Sequence, residues 1–218
     1  MSEGEKIFGR TTGLKALKCL DIFCGLGGWS KGFVSEGFEC VGVDIVDVGY
    51  PYQLILKDVR ELDAEWVKAQ RFDVIVGSPP CRDFSIISKF DAAKREHGQK
   101  GCWRIPPNPQ DGLKLVYAFL KIVEEAKPPI WLMENSPFLA DYITLRSIVN
   151  RAYLGKTMRR SFWGVFPSFL VPMDLKKQGM ERGRWGKLRS WERAEIPFIV
   201  AQAFAHACKQ KLLEVEAV

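Results

Sequence analysis

The sequence predicts an α/β fold, a doubly wound and mostly parallel sheet in a single domain, and three observations point there. Short apolar runs alternate with segments of helical spacing; each run is bounded by Gly, Pro or Asp; and no internal repeat or low-complexity linker interrupts the alternation. The 218 residues are 47% hydrophobic and 27% charged, enough for one well-buried core. Right-handed crossovers are expected between successive strands.

The elements follow in order. Leu17 to Phe23 is the first strand, leading through Asp21-Ile22-Phe23-Cys24-Gly25-Leu26-Gly27-Gly28 into a helix over Gly28 to Glu36. A glycine-rich strand-to-helix turn lets backbone approach a ligand, although its spacing is not GxGxxG, and by itself it serves equally as a tight structural turn. Cys40 to Ile45 is the second strand, ending on Asp44, and Leu54 to Leu56 the third, followed by Lys57-Asp58-Val59. An acid at the second strand's end can accept both hydroxyls of a nucleoside's ribose, and one at the third suits an adenine amino group. Each alone is equally a cap or turn residue. Asp63 to Gln70 has helical spacing, Phe72 to Val76 is the fourth strand, and Pro79-Pro80-Cys81 follows. Consecutive prolines admit neither helix nor ladder, so the thiol sits on a stiff loop at a strand's carboxyl end, where open α/β sheets keep their ligands.

Residues 82–109, rich in Lys, Arg, Gly and Pro and without clear period, are expected to form one long mobile loop attached to Cys81. Asp111 to Ala126 is a helix stopped by Pro128, and Ile130 to Met133 is a fifth buried strand from which Glu134 emerges. A carboxyl there, desolvated beside Cys81, is suited to holding or donating a proton; standing alone it is a helix N-terminal acid before Pro137. Pro197 to Leu213 closes the domain as a helix.

Composition narrows the function classes. The six cysteines form no CxxC pair and the two histidines lie far apart, so neither a metal site nor a disulfide framework is expected. Met1 to Arg10 lacks an apolar signal core and no stretch approaches a membrane span, from which a cytoplasmic location without membrane association is expected. Net charge is +6, concentrated over residues 174–193, where Lys176, Lys177, Arg182, Arg184, Lys187, Arg189 and Arg193 interleave with Trp185 and Trp191. Cations and flat rings together suit phosphates and bases, though a solvated basic loop reads the same way.

Taken together, Asp21-x-Phe23-x-Gly25-x-Gly27-Gly28, Asp44, Asp58, Pro79-Pro80-Cys81 with Phe84-Ser85, and Glu134-Asn135 resemble, in this order, the signature of the DNA cytosine carbon-5 methyltransferases. The small phage-type and archaeal members look most similar, through Trp163-Gly164-Val165-Phe166-Pro167 and Ile196-Pro197. The resemblance implies a Rossmann-like S-adenosylmethionine-dependent methyltransferase fold and a methyl transfer to cytosine carbon 5 in DNA, yielding S-adenosylhomocysteine without a metal. It implies that Cys81 adds to carbon 6, that Glu134 holds the base at N3 and its amine, and that Arg160, or else Arg159, contacts the base carbonyl. By the same likeness Phe23, Gly25, Leu26, Gly27, Gly28, Asp44, Ile45, Asp58, Val59, Pro80 and Leu115 line the cofactor site. Arg82, Ser85, Lys176, Lys177, Arg182, Arg184 and Lys187 then meet the nucleic acid, a duplex with a flipped cytosine or a single strand.

Two departures from that pattern stand out. Only the basic 174–193 stretch occupies the place of a large target-recognition region, so either sequence specificity is low, or recognition rests on this short arm and the 82–109 loop, or it comes from a separate recognition chain; the catalytic chain itself is expected to be monomeric. Arg82 also follows Cys81 where most relatives carry glutamine, and the Asn-Ser pair often found ahead of the last helix is missing. An RNA (tRNA) cytosine-5 methyltransferase and a non-catalytic accessory subunit are the competing readings. The RNA enzymes commonly place a second cysteine where Glu134-Asn135 stands. The glycine spacing disfavours a dehydrogenase.

Overall fold

Strand β1 (Lys18–Ile22) buries Cys19, Leu20 and Ile22 wholly and Asp21 to 1% exposure, so it forms inside a sheet covered on both faces. The computed structural model describes residues 16–101, 105–147, 149–153, 159–171 and 194–216. Their strands are β1, β2 (Glu39–Asp44), β3 (Gln53–Leu56), β4 (Val74–Gly77), β5 (Ile130–Asn135), β6 (Val149–Tyr153) and β7 (Arg159–Val165). They form one sheet in the order β3-β2-β1-β4-β5-β7-β6. Strands β1 to β5 run parallel, whereas β7 lies antiparallel between β5 and β6. The expected doubly wound, mostly parallel α/β sheet therefore forms, extended by two strands that apolar runs did not disclose.

Side chains alternate between two cores, as a period of two requires. Val74, Val76, Ile130 and Leu132 face α1 (Gly28–Ser35) and α5 (Phe198–Glu216), against Trp29, Phe33 and Phe204. Ile75 and Met133 face α2 (Ala64–Gln70) and α4 (Pro109–Ala126), against Val67, Val116 and Phe119. Helix α5 seats on α1 because α1 offers glycine at the contact: a β-carbon on Gly32 would stand 2.4 Å from the Ala201 carbonyl carbon. The ion pair of Lys31 with Glu195, 2.6 Å, closes the same seam.

Helix ends follow local chemistry. Asp63 caps α2 by accepting from the Glu65 amide, and Pro109 occupies the first turn of α4, where a missing N–H costs nothing. Residues 82–109 are not one irregular loop, and that expectation is corrected: Arg82–Phe84 form a 3-10 turn and Ile86–Glu96 form helix α3. The Ser85 hydroxyl caps α3 at the Ser88 amide, while its buried face carries Ser88 and Asp91, a polar stripe that conceals the helical period. The basic 174–193 stretch, with Lys176, Lys177, Arg182, Arg184 and Lys187, lies outside the described residues. Among the described residues no helix is long and apolar enough to cross a membrane.

Strand order reverses between β1 and β4, so the crevice outside their carboxyl ends is where this architecture presents a ligand site. The glycine turn, Asp44, the Pro79-Pro80-Cys81 loop and Glu134 all follow or end strands on that side.

Candidate active site

Cys81 lies half-buried at the start of the 3-10 turn after β4. Glu134, on β5, is 2% exposed, and Arg160, on β7, is 9% exposed. The antiparallel register sets Glu134 opposite Phe162, which places Arg160 two residues along on the same face, within reach of a diagonal contact. Arg160 Nη1 stands 3.2 Å from Glu134 Oε1 and donates to Cys81 Sγ at 3.5 Å. One guanidinium thus joins the thiol and the carboxylate that the sequence singled out separately.

Desolvation pushes the Cys81 thiol above its ordinary value, the Arg160 charge opposes this, and the Glu134 charge adds to it. Arg160 itself is held more firmly protonated, chiefly by Glu134. Glu134 Oε1 accepts no hydrogen bond among the described residues despite its ion pair with Arg160, leaving a buried acceptor beside that guanidinium.

The residues that follow Glu134 fix the loop that carries the thiol. The Asn135 amide nitrogen donates to the Pro79 carbonyl at 2.9 Å, and the Ser136 hydroxyl donates to the Phe84 carbonyl at 2.8 Å. The loop that carries Cys81 is thus held at both ends. Asn135 is visible in the sequence beside Glu134; Ser136 left no signal there, because its partner is distant in the chain.

The glycine turn is built by left-handed backbone at Phe23, Gly25 and Gly27, with φ of 63°, 49° and 77°. A β-carbon on Gly25 would meet nothing within 4 Å, so the turn borders open space there. Asp44 Oδ2 accepts from the Gly25 amide at 3.0 Å and Oδ1 from the Ile45 amide at 2.8 Å, which ties the tip of β2 to the turn. Ile45 is 68% exposed beside it. Open space over a glycine, a carboxylate at the strand tip and an exposed aliphatic side chain together fit a nucleoside cofactor.

The remaining candidates divide. Asp58 caps the 3-10 turn Val59–Glu61, and its carboxylate accepts from the Arg60 amide and side chain, which holds it below the usual carboxylate range, at about 2. Val59 is buried in the core beneath, Leu115 is half-buried on α4, and Pro80 is exposed. Leu26 is half-buried in the turn, while Gly28 meets the Ile196 backbone instead of open space. Arg82 is exposed, with its guanidinium on Asp83 at 3.2 Å, and Ser85 serves as the α3 cap. Among the described residues no three His, Cys, Asp or Glu side chains converge as a metal ion would need.

The family model for C-5 cytosine-specific DNA methylases matches residues 17–151. The type II methyltransferase M.HindV of Haemophilus influenzae is 30% identical over 145 residues, covering 62% of this chain and 42% of that protein. The type II methyltransferase M.HgiGI of Herpetosiphon aurantiacus is 32% identical over 131 residues, covering 55% of this chain and 90% of that one. Among solved structures, the methyltransferase EhMeth of Entamoeba histolytica superposes with a TM-score of 0.48 at 12% identity, covering 78% of this chain and 58% of that chain. The chain thus spans less than half the length of M.HindV. Because the matched region is more than half of the chain and takes in the glycine turn, Cys81 and Glu134, the chain belongs to the C-5 cytosine-specific DNA methylase family.

Proposed function

We propose that this protein transfers a methyl group from S-adenosylmethionine to carbon 5 of cytosine in DNA, through a covalent adduct of Cys81 at carbon 6. The observation that carries the reading is the convergence of the Cys81 thiol and the Glu134 carboxylate on Arg160, at the crevice bordered by the glycine turn.

Carbon 5 of cytosine is a poor nucleophile, and addition of a thiolate at carbon 6 converts the ring to an enamine, which is a good one. Arg160, 3.5 Å from Cys81 Sγ, favours the thiolate against the desolvation that disfavours it. The Glu134 carboxylate would hold the exocyclic amine of the base and stabilise a proton at N3 as Sγ adds, a role its buried, underused acceptor capacity supports. A thymine, with a carbonyl where cytosine has its amine, would set two acceptors against each other. The cradle of Phe23, Gly25, Leu26, Gly27, Asp44 and Ile45 would hold S-adenosylmethionine, which supplies an electrophilic methyl group when bound. After methylation the carbon-5 proton leaves to solvent, the bond from Sγ to carbon 6 breaks, and the thiolate returns to Arg160. A target base must leave its stack to reach a half-buried thiol, so the substrate is a flipped or unpaired cytosine.

The test is transfer of labelled methyl from S-adenosylmethionine to duplex DNA, single-stranded DNA and RNA, by wild type and Cys81→Ser. Label in DNA that Cys81→Ser abolishes is the expected result. Label retained by Cys81→Ser removes the nucleophile assignment, and label confined to RNA replaces DNA as the substrate. DNA carrying 5-fluorocytosine should trap the adduct, because carbon 5 then has no proton to lose.

A further inference from the structure

We propose that Tyr50, which nothing in the chemistry above uses, is a positioning residue of the cofactor cradle: its hydroxyl, through Ser30, fastens the wall that carries Asp44 to the helix beneath the glycine turn. The inference rests on the cofactor reading of that cradle.

Helix α1 begins after Gly27, whose lack of a side chain leaves the first-turn amides without a local cap. Asp21, from the end of β1, supplies the acceptor: its Oδ2 takes the Ser30 amide at 3.2 Å and the Ser30 hydroxyl at 2.7 Å. Asp21 is 1% exposed and Ser30 fully buried, so this capping takes place out of water. The Tyr50 hydroxyl lies 2.7 Å from Ser30 Oγ. With the Ser30 proton directed at the carboxylate, Tyr50 is the donor, and the chain runs from Tyr50 to Ser30 to Asp21.

This bond fixes where the Tyr50 ring lies. A β-carbon on Gly27 would stand 3.1 Å from the ring, and one on Gly42 would stand 2.5 Å from it. The ring therefore fills the space those two glycines leave, between the turn and β2. Between Asp44 and Tyr50 the chain is tied by its two aspartates, Asp44 Oδ1 taking the Ile45 and Val46 amides. Asp44 takes the Gly25 amide, and Asp47 Oδ1 takes the amides of Gly49 and Tyr50 at 2.8 Å and 3.2 Å. Ile45 and Val46, 68% and 52% exposed, stand on this wall facing solvent. Without the Tyr50 hydroxyl the far end of the wall loses its tie to α1, while Cys81, Glu134 and Arg160 keep every contact they have. The consequence falls on cofactor affinity and spares the chemical step.

The experiment compares Tyr50→Phe, Ser30→Ala and the control Tyr52→Phe, whose ring meets Tyr50 edge-on with centroids 5.7 Å apart. The dissociation constant for S-adenosylhomocysteine is measured by titration calorimetry, and KM and kcat are measured against S-adenosylmethionine. Tyr50→Phe should raise both the dissociation constant and KM severalfold, with one buried hydrogen bond, about tenfold, as the ceiling, reached if the loosened wall must be fully re-ordered on binding, and with kcat within about twofold. Ser30→Ala should move them the same way, and Tyr52→Phe should leave them unchanged. Affinity unchanged in a folded Tyr50→Phe protein, or kcat falling at constant KM, overturns the inference while wild-type binding keeps the cofactor reading intact. A wild-type protein that binds no S-adenosylhomocysteine overturns both.

Discussion

Replacing Arg160 by Met keeps most of the side chain's length and removes its charge, and the outcome can be worked from two distances. The guanidinium stands 3.5 Å from Cys81 Sγ and 3.2 Å from Glu134 Oε1. At an effective dielectric constant of about 20, a charge pair at the first distance is worth about 5 kcal/mol. Solvent reaching the half-buried side of Cys81 reduces this to about 3 kcal/mol. Desolvation and Glu134 both raise the thiol already, so losing Arg160 removes the cation that opposes them, and the thiolate forms only at more alkaline pH. The assay is alkylation of Cys81 by iodoacetamide, quantified on its own peptide from about pH 6 to about pH 10, where thiolate fraction sets the rate. Methyl transfer is followed in parallel. Arg160→Met should shift the alkylation profile to more alkaline pH and slow methyl transfer about a hundredfold near neutrality. Raising the pH should recover alkylation, and Arg160→Lys, which keeps the charge, should shift it less. An alkylation profile superimposable on that of wild type would refute the reasoning, because it would show that Arg160 contributes nothing to the thiolate.

Two further outcomes concern the scaffold. Gly32→Ala sets a β-carbon 2.4 Å from the Ala201 backbone, and α5 must move off α1 to accept it; overpacking of this kind costs about 2 to 3 kcal/mol, partly offset by alanine's helix propensity, so calorimetry should show melting lowered by roughly 5 °C. Asp21, buried beside Ser30, Asp44, Cys24 and Tyr50, has its carboxyl raised from the ordinary 3.8 to about 7, by burial first and the Asp44 charge after. Between those values the unfolded chain has released a proton that the folded one keeps, so stability falls as pH rises through the window, by up to about 4 kcal/mol. Denaturant titrations at both ends of the window should show this slope in wild type and its loss in Asp21→Asn.

How much of this was legible in the sequence depends on where each group finds its partner. The five parallel strands and helices α1, α2, α4 and α5 lie within about three residues of the segments that periodicity and Gly, Pro and Asp boundaries indicate, because both signals act locally. Strand β7 escaped, since Arg159-Arg160-Ser161 opens it with polar groups and its pairing with β5 is antiparallel and distant. Helix α3 escaped because it buries Ser88 and Asp91, which inverts the pattern used to find helices. The strand-end acids show the same division most sharply. Asp58 and Glu134 look alike in the chain, each closing or following an apolar run. Asp58 has its charge met two residues on, by Arg60, and turns its carboxylate into a cap. Glu134 has its charge met by Arg160, from a strand that no local pattern revealed, and the guanidinium that meets it also reaches the thiol. An acid satisfied by its own neighbourhood is free to be structural. One satisfied only across the sheet depends on another strand for its partner, and here that partner is the cation that also reaches the thiol.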